Sequence, residues 1–554
     1  MSKTIKNWFN SGTPWIWLNA AAVSLSLIMV FGLLIMIAIR GMGHFWPSPV
    51  IEFDYTVPGK TSQRVAGEIS ETAEVSLEVL RESGIEIEYD KPWVTRHLIK
   101  TGNRDVLGSD FRWLLAPYMS KQRLPQDIVV LERREWGNFY GYLKSIKQSG
   151  QIIANDTGSW DKLIPRLKRV EEIQEQIRDI EKHKLGSINY ELEQLRLDRR
   201  RLELNNNKKP QALNRIKSAE DAFKQQFSDL QTVLASLYQD INRDQLVAEI
   251  MGGKQIEIPL SKIVRAYRPN DMSVLQRIGV YLSRAWEFIS DEPREANTEG
   301  GIFPAIFGTV MMVIIMSILV TPFGVVTAVY MREYAKQGTL IRIIRIAVNN
   351  LAGVPSIVYG IFGLGFFVYF LGGNIDQLFY PEALPAPTFG TPGILWSSLT
   401  LAILTVPVVI VATEEGLSRI PRAIREGSLA LGATKAETLW RTVLPMATPA
   451  MMTGLILAVA RAAGEVAPLM LVGVVKLAPS LPLDGDFPFL HLERKFMHLG
   501  FHIYDVGFQS PNVEASRPLV YATALLLVII IIILNLAAIW IRNNLREKYK
   551  ALEN

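Results

Sequence analysis

The chain of 554 residues carries 59 Lys and Arg against 54 Asp and Glu, and 49% of it is hydrophobic. Its length exceeds one ordinary domain, its small basic excess sits beside apolar runs rather than in a nucleic-acid-binding patch, and the absence of cysteine excludes disulfides and thiolate metal sites. Charge is segregated, leaving long runs almost free of it, as in a membrane protein with a polar unit attached.

The first apolar run, 15–39, follows Lys3 and Lys6 and is too long for the apolar segment of a signal peptide. Residues 1–49 therefore read as a tail and a retained membrane helix. The next unit, 50–298, is polar and far too long for a connection. Alternating runs at 51–57, 85–89, 127–131 and 255–263 predict strands on its flanks. Between them, about 163–242, Ile173, Ile177, Ile180, Ile188, Leu192, Leu195 and Leu202 keep a three-and-four spacing broken near Gly186. After Asn205 to Pro210, a second stripe runs through Ile216, Phe223, Phe227, Leu230, Leu234, Leu237 and Ile241. The expectation is an α+β unit carrying an antiparallel coiled-coil hairpin, its charges a solvated face rather than a docking surface. An amphipathic helix, 273–289, leads back to the bilayer, with Trp286 and Phe288 suited to the interface.

Residues 299–554 hold five further apolar runs, 303–329, 346–371, 393–413, 449–475 and 519–541, which makes six spans of the length a bilayer core needs. Basic residues near span ends mark the cytoplasmic side. Arg332, Lys336, Arg342 and Arg345, then Arg419, Arg422, Arg425 and Arg441, then Arg542 and Arg546 fall on one side, while 372–392 has no Lys or Arg. Both termini are then cytoplasmic and 50–298 lies outside.

The cytoplasmic stretch 421–445 predicts two short helices. Pro421 opens the first and Gly432 closes it. Thr434 and Glu437 have capping-box spacing for the second, which Pro445 is expected to end. Gly427, Ser428 and Ala430 permit close approach by another protein. On the fifth span, Arg461 and Glu465 are four apart and, being costly in lipid, should face the complex interior as a path for an oxyanion or as a structural pair. His498 and His502, with Glu493 and Asp505 nearby, have conceivable metal spacing, but Gly500 weakens the helix between them and no metal is expected. The sequence contains no phosphate-cradling loop, nucleophile elbow or HExxH motif, so no enzyme and no cofactor of its own is expected.

The 421–445 stretch resembles the EAA motif of ABC importer permeases, matching it at Glu426, Gly432, Leu444 and Pro445, with Gly427 and Ser428 in place of two alanines and Thr442 where an aliphatic residue is usual. Asn297-Thr-Glu-Gly-Gly301 and Ala460-Arg-Ala-Ala-Gly-Glu-Val-Ala-Pro-Leu469 further resemble the PstA-type phosphate permeases, the Ala467-Pro468-Leu469 continuation distinguishing them from the PstC-type paralogue. The resemblance covers the first span and 297–554. It implies a six-helix permease of the bacterial inner membrane that moves phosphate, with Arg461 and Glu465 in translocation and Glu426, Gly427, Gly432, Leu444 and Pro445 in ATPase coupling. Its implied partners are a PstC-type permease, a PstB-type ATPase dimer that holds the ATP, a PstS-type phosphate-binding protein and membrane lipid. The rival readings are a PstC-type subunit, a permease for another oxyanion, and a membrane-anchored coiled-coil scaffold or sensor, the last disfavoured by charge within a span.

Overall fold

The structure, a computed structural model, describes residues 8, 11–59, 61–84, 87, 89, 91–155, 158–205, 210–510 and 513–549. Lys3, Lys6, most of the run expected at 85–89 and the 206–209 turn lie outside the described residues.

Among the described residues, six helices are long and apolar enough to cross a membrane: Thr13–Gly43, Phe303–Tyr334, Ser356–Phe379, Ile394–Arg419, Lys435–Gly464 and Ser516–Leu545. Two boundaries differ from expectation. The third span starts ten residues later than 346, because Gly353, Val354 and Pro355 interrupt the helix, and residues 339–351 form a separate amphipathic helix, Thr339–Leu351. The fifth span starts at Lys435 and stops at Gly464 rather than running to 475. The second, fourth and fifth spans share one core, joined by Met312, Leu401 and Ala458. Small residues let their backbones approach, so that a Cβ added at Gly454 would lie 2.7 Å from the Ala412 side chain. The first span stands apart, with no buried residue in its apolar window, and meets the sixth where Gly41 lies on the Tyr521 backbone.

Two antiparallel sheets occupy the segment between the first and second spans. One has the order β4 (Phe111–Leu115), β3 (Trp93–Lys100), β2 (Gln63–Ser76), β1 (Val50–Tyr55), β5 (Met119–Arg123). In the other, β10 (Gln255–Pro259), β9 (Asp244–Glu249), β7 (Phe139–Gln148), β6 (Ile128–Arg133) and β11 (Ile263–Tyr267) follow one another, and β8 (Gln151–Asn155) pairs with β7. Phe53 faces Val65 across β1 and β2, and Val130 faces both Tyr140 and Tyr267 in the second sheet. Val50 and Ala66 of the first sheet pack with Ile128, Val130 and Tyr140 of the second, so the two share a core. The single run expected at 255–263 is two strands, because a 3-10 turn at Leu260–Lys262 redirects the chain between them.

Two helical arms rise from the second sheet. Ser159–Arg178 continues through a π turn, Asp179–Lys184, into Leu185–Leu204, and Pro210–Ile241 returns. The break in apolar spacing near Gly186 is absorbed by that π turn, whose wider turn resets the stripe without ending the helix. Tyr238 donates to Glu181 at 2.6 Å, and Arg199 pairs with Glu220, which fixes the arms as antiparallel. Leu163, Val170, Ile173 and Ile177 bury the base of the first arm against Val129, Phe139 and Leu246 of the sheet. Farther out the arm leans on the loops of the bundle. Tyr190 donates to the Phe487 carbonyl and stacks edge-on with His491, and Arg201 pairs with buried Glu382.

The helix Val274–Ser290, opened by a Ser273 to Gln276 capping box, fastens the sheets to the bundle. Arg284 donates to Glu132 at 2.7 Å, Arg265 bridges Glu132 at 2.7 Å and Glu287 at 2.8 Å, and Arg294 reaches Glu287 at 2.5 Å. Burial alone would raise the Glu132 carboxyl, but the Arg284 and Arg265 charges hold it down to about 2. Phe288, expected at the membrane interface beside Trp286, is instead buried against Phe45, ring centroids 5.1 Å apart, because it sits on the face that meets the end of the first span.

Candidate functional site: an inner loop and a break in the fifth span

Pro421 supplies an extended residue before the helix Arg422–Ala430, and Gly432, at φ +90°, turns the chain after it. The Gly432 amide donates to the Leu429 carbonyl and the Ala433 amide to that of Ser428, which satisfies the last carbonyls of the helix. Thr434 then accepts from the Glu437 amide while the Glu437 carboxylate accepts from the Thr434 amide at 2.9 Å. The Ser428 and Thr438 hydroxyls, 2.9 Å apart, tie the two helices together. Pro445 does not end a helix. The π turn Leu439–Val443 precedes it, and the wide turn accommodates a residue without an N–H, so Leu444 and Pro445 begin the long run to Gly464.

Glu426, Gly427 and Gly432 are exposed, while Leu444 and Pro445 are half-buried at the root of the span. Around them Leu431 is 91% exposed and Trp440 is 74% exposed, an apolar surface at the tip of a polar loop. The loop is held from behind by residues that enter the sequence argument only as orientation marks or not at all. Arg425 donates to the Ile420 and Leu417 carbonyls at 2.7 and 2.8 Å and to Glu333 at 2.8 Å, and Lys435 reaches the Glu333 carbonyl. Glu333 sits on the last turn of the second span, and only its nearness to a basic loop hinted at this.

Arg461 lies in the last turn of the fifth span and Glu465 just past its end, in extended backbone. They are therefore not on one continuous helical face. Their contact is single and long, 3.5 Å from Nε to Oε1, with side chains 33% and 20% exposed, and after it the chain runs through Pro468 into the short helix Leu469–Val472. A guanidinium held so loosely keeps most of its donors available to a planar or tetrahedral oxyanion.

Asn297-Thr-Glu-Gly-Gly301 forms the tight entry to the second span, where Glu299 and Gly300 pair with Arg294 and Pro293 and burial pushes the Glu299 carboxyl up to about 7. His498 and His502 are both buried, but they do not converge with Glu493 and Asp505. His498 caps the Gly500 amide at 3.1 Å, His502 meets Thr523 at 3.3 Å, Glu493 contacts His491, and Asp505 pairs with Lys476 at 3.0 Å. Among the described residues no group of three His, Asp or Glu has metal-binding geometry.

Residues 320–550 match the family described as binding-protein-dependent transport system inner membrane component. The chain is 30% identical over 274 residues to the probable ABC transporter permease protein YqgI of Bacillus subtilis, a match covering 48% of this chain and 86% of that one. It is 34% identical over 243 residues to the phosphate transport system permease protein PstA 1 of Mycobacterium tuberculosis, covering 44% and 71%. A probable phosphate transport system permease protein PstC of Methanocaldococcus jannaschii is 26% identical over 296 residues, covering 51% and 88%. With the apolar-tipped loop at 421–445 and a charged pair at the broken end of the fifth span, these relationships place the chain in the PstA-type permeases of binding-protein-dependent transport systems.

Proposed function

We propose that this chain is the permease subunit of an ATP-driven importer that carries inorganic phosphate across the bacterial inner membrane. The observation that supports this reading best is the loose Arg461 and Glu465 pair at the end of the fifth span, where cargo charge can replace the carboxylate as the arginine's partner. Arg461 receives the anion and Glu465 holds the site when it is empty. Gly427 and Gly432 offer a small-residue surface, with the exposed Glu426 carboxylate beside it, to a PstB-type ATPase dimer, which binds the ATP, and Leu444 and Pro445 carry the coupling into the span.

In this reading a PstC-type permease completes the path and a PstS-type binding protein delivers phosphate. Both termini are cytoplasmic, and 50–298 is a periplasmic α+β domain whose hairpin, about 163–242, is a coiled coil. The contacts of Tyr190 and Arg201 with the loops at Phe487 and Glu382 favour a hairpin lying over the outer mouth. The test is uptake of radiolabelled phosphate by cells lacking this chain, with and without a plasmid copy. Loss and recovery of uptake support the proposal. Unchanged phosphate uptake with loss of sulfate or molybdate uptake would transfer it to another oxyanion, and unchanged transport of all three would overturn it.

A further inference from the structure

The helix Val274–Ser290 has a second face that none of the described residues covers. Leu275, Ile278, Leu282, Trp286 and Ile289 are 80, 41, 60, 70 and 42% exposed. At 100° per residue they fall within about 80° of arc, a stripe free of charge. The opposite face carries Arg284, Glu287 and Phe288, all engaged with the sheets and with Phe45.

Where this helix sits decides what the stripe meets. Its middle is beside the end of the first span where the chain turns into the sheets, since Phe45 and Trp46 lie against Tyr281 with ring centroids 6.1 and 6.0 Å apart and Arg284 donates to the Phe45 carbonyl at 3.4 Å. Its end is hydrogen-bonded to the start of the second span, the Ile302 amide to the Phe288 carbonyl at 2.9 Å and the Phe303 amide to that of Asp291 at 3.1 Å. Both anchors are the points where the chain leaves the apolar layer. The neighbouring first span, with no buried residue in its apolar window, is itself a lipid-facing surface, and the stripe continues it. Trp286 stands in the stripe one turn from the end nearest the second span, and tryptophan is a residue favoured at a bilayer surface.

We infer that Val274–Ser290 lies in the surface of the lipid leaflet on the side of the sheets, with Leu275, Ile278, Leu282, Trp286 and Ile289 immersed among the acyl chains. The occupant of the stripe is lipid rather than a protein partner. Because Glu132, Arg265, Arg284 and Glu287 lock the other face to the second sheet, the bilayer surface sets the height of the sheets, and through them the position of the helical arms over the bundle. The inference rests on the membrane-spanning reading and is independent of the cargo.

The absence of native cysteine makes the test direct. Leu282→Cys and Gln276→Cys are each spin-labelled in the full chain in nanodiscs of phosphatidylethanolamine and phosphatidylglycerol, and accessibility to oxygen and to a nickel chelate is compared. Position 282 is expected to show an oxygen-over-nickel ratio several-fold higher than position 276. As a measurement without a label, brominated phosphatidylcholine should quench the emission lost on Trp286→Phe, read as the difference between wild type and variant. Equal ratios at the two positions, a label at 282 immobilised and shielded from both reagents, or Trp286 emission insensitive to bromine would overturn the inference.

Discussion

Two of the places where arginine meets glutamate in this molecule are built differently. At the junction of sheets and bundle, Glu132 is shared by Arg265 and Arg284, and Glu287 by Arg265 and Arg294, with donor–acceptor distances of 2.5 to 2.8 Å for the contacts Arg265–Glu132, Arg265–Glu287 and Arg294–Glu287. At the end of the fifth span, Arg461 has one carboxylate at 3.5 Å. Redundant partners fix a geometry against the loss of any one contact. A single long contact between groups that pay for burial leaves one side ready to exchange its partner, which is what a transport path requires and what a joint must avoid.

The largest effect that would break this contrast is at Arg461. Arg461→Gln should assemble with its partners yet lower phosphate uptake roughly 100-fold, the worth of about 3 kcal/mol of charged hydrogen bonding, while Arg461→Lys keeps part of it. Uptake at the wild-type rate by the assembled glutamine variant would make the pair structural, like the junction. Gly432 sharpens the comparison from the other end of the span. The space around its Cβ is open and only its φ of +90° restricts it, so Gly432→Trp should abolish ATPase co-purification and uptake, whereas Gly432→Asn, which tolerates that backbone, should retain both. At the junction itself, Glu132→Ala leaves two guanidinium groups without their carboxylate and should destabilise the sheets by about 3–5 kcal/mol in thermal unfolding of the full chain.

The same carboxylate predicts a pH dependence. Its folded pKa of about 2 lies below the usual 4.5, so its contribution is complete above about pH 4.5 and is lost as pH falls toward 2. A flat stability profile over that window would deny the network its role. The smallest effect belongs to Arg200→Ala, which removes one side of the solvent-exposed Arg200–Glu203 pair and should loosen the arm by no more than about 1 kcal/mol, read as faster amide exchange confined to Leu185–Leu204.

The spans were legible because apolar runs of sufficient length have few alternatives, and the family motifs because they carry glycine and proline at fixed places. The capping box at Thr434 and the left-handed turn at Gly432 follow from residue chemistry over a few positions. The failures are tertiary. Pro445 reads as a stop unless the π turn before it is known, and Phe288 looks like an interface residue until Phe45 is seen to cover it. Most strands of the first sheet escaped because β2 and β3 mix Thr, Arg and Glu on faces that the sheet leaves half exposed, so the alternation is faint. Glu333 carries no signal in isolation; its importance is that Arg425 and Lys435, distant in sequence, both end on it.

The unbroken helix from Lys435 to Gly464 joins two ends that the sequence had separated by a stop at Pro445. Its 30 residues span about 45 Å, with Trp440 near one end and Arg461 near the other. Such an element behaves as a strut: a push received at the tryptophan is delivered at the arginine with no intervening loop to absorb it. The compliance it has lies at the π turn Leu439–Val443, where the hydrogen-bond ladder widens, and at Pro449, which has no N–H to give to the ladder. If the 421–445 loop docks on an ATPase as proposed, stiffening or loosening those two points would tune how much of its stroke reaches the far side of the membrane.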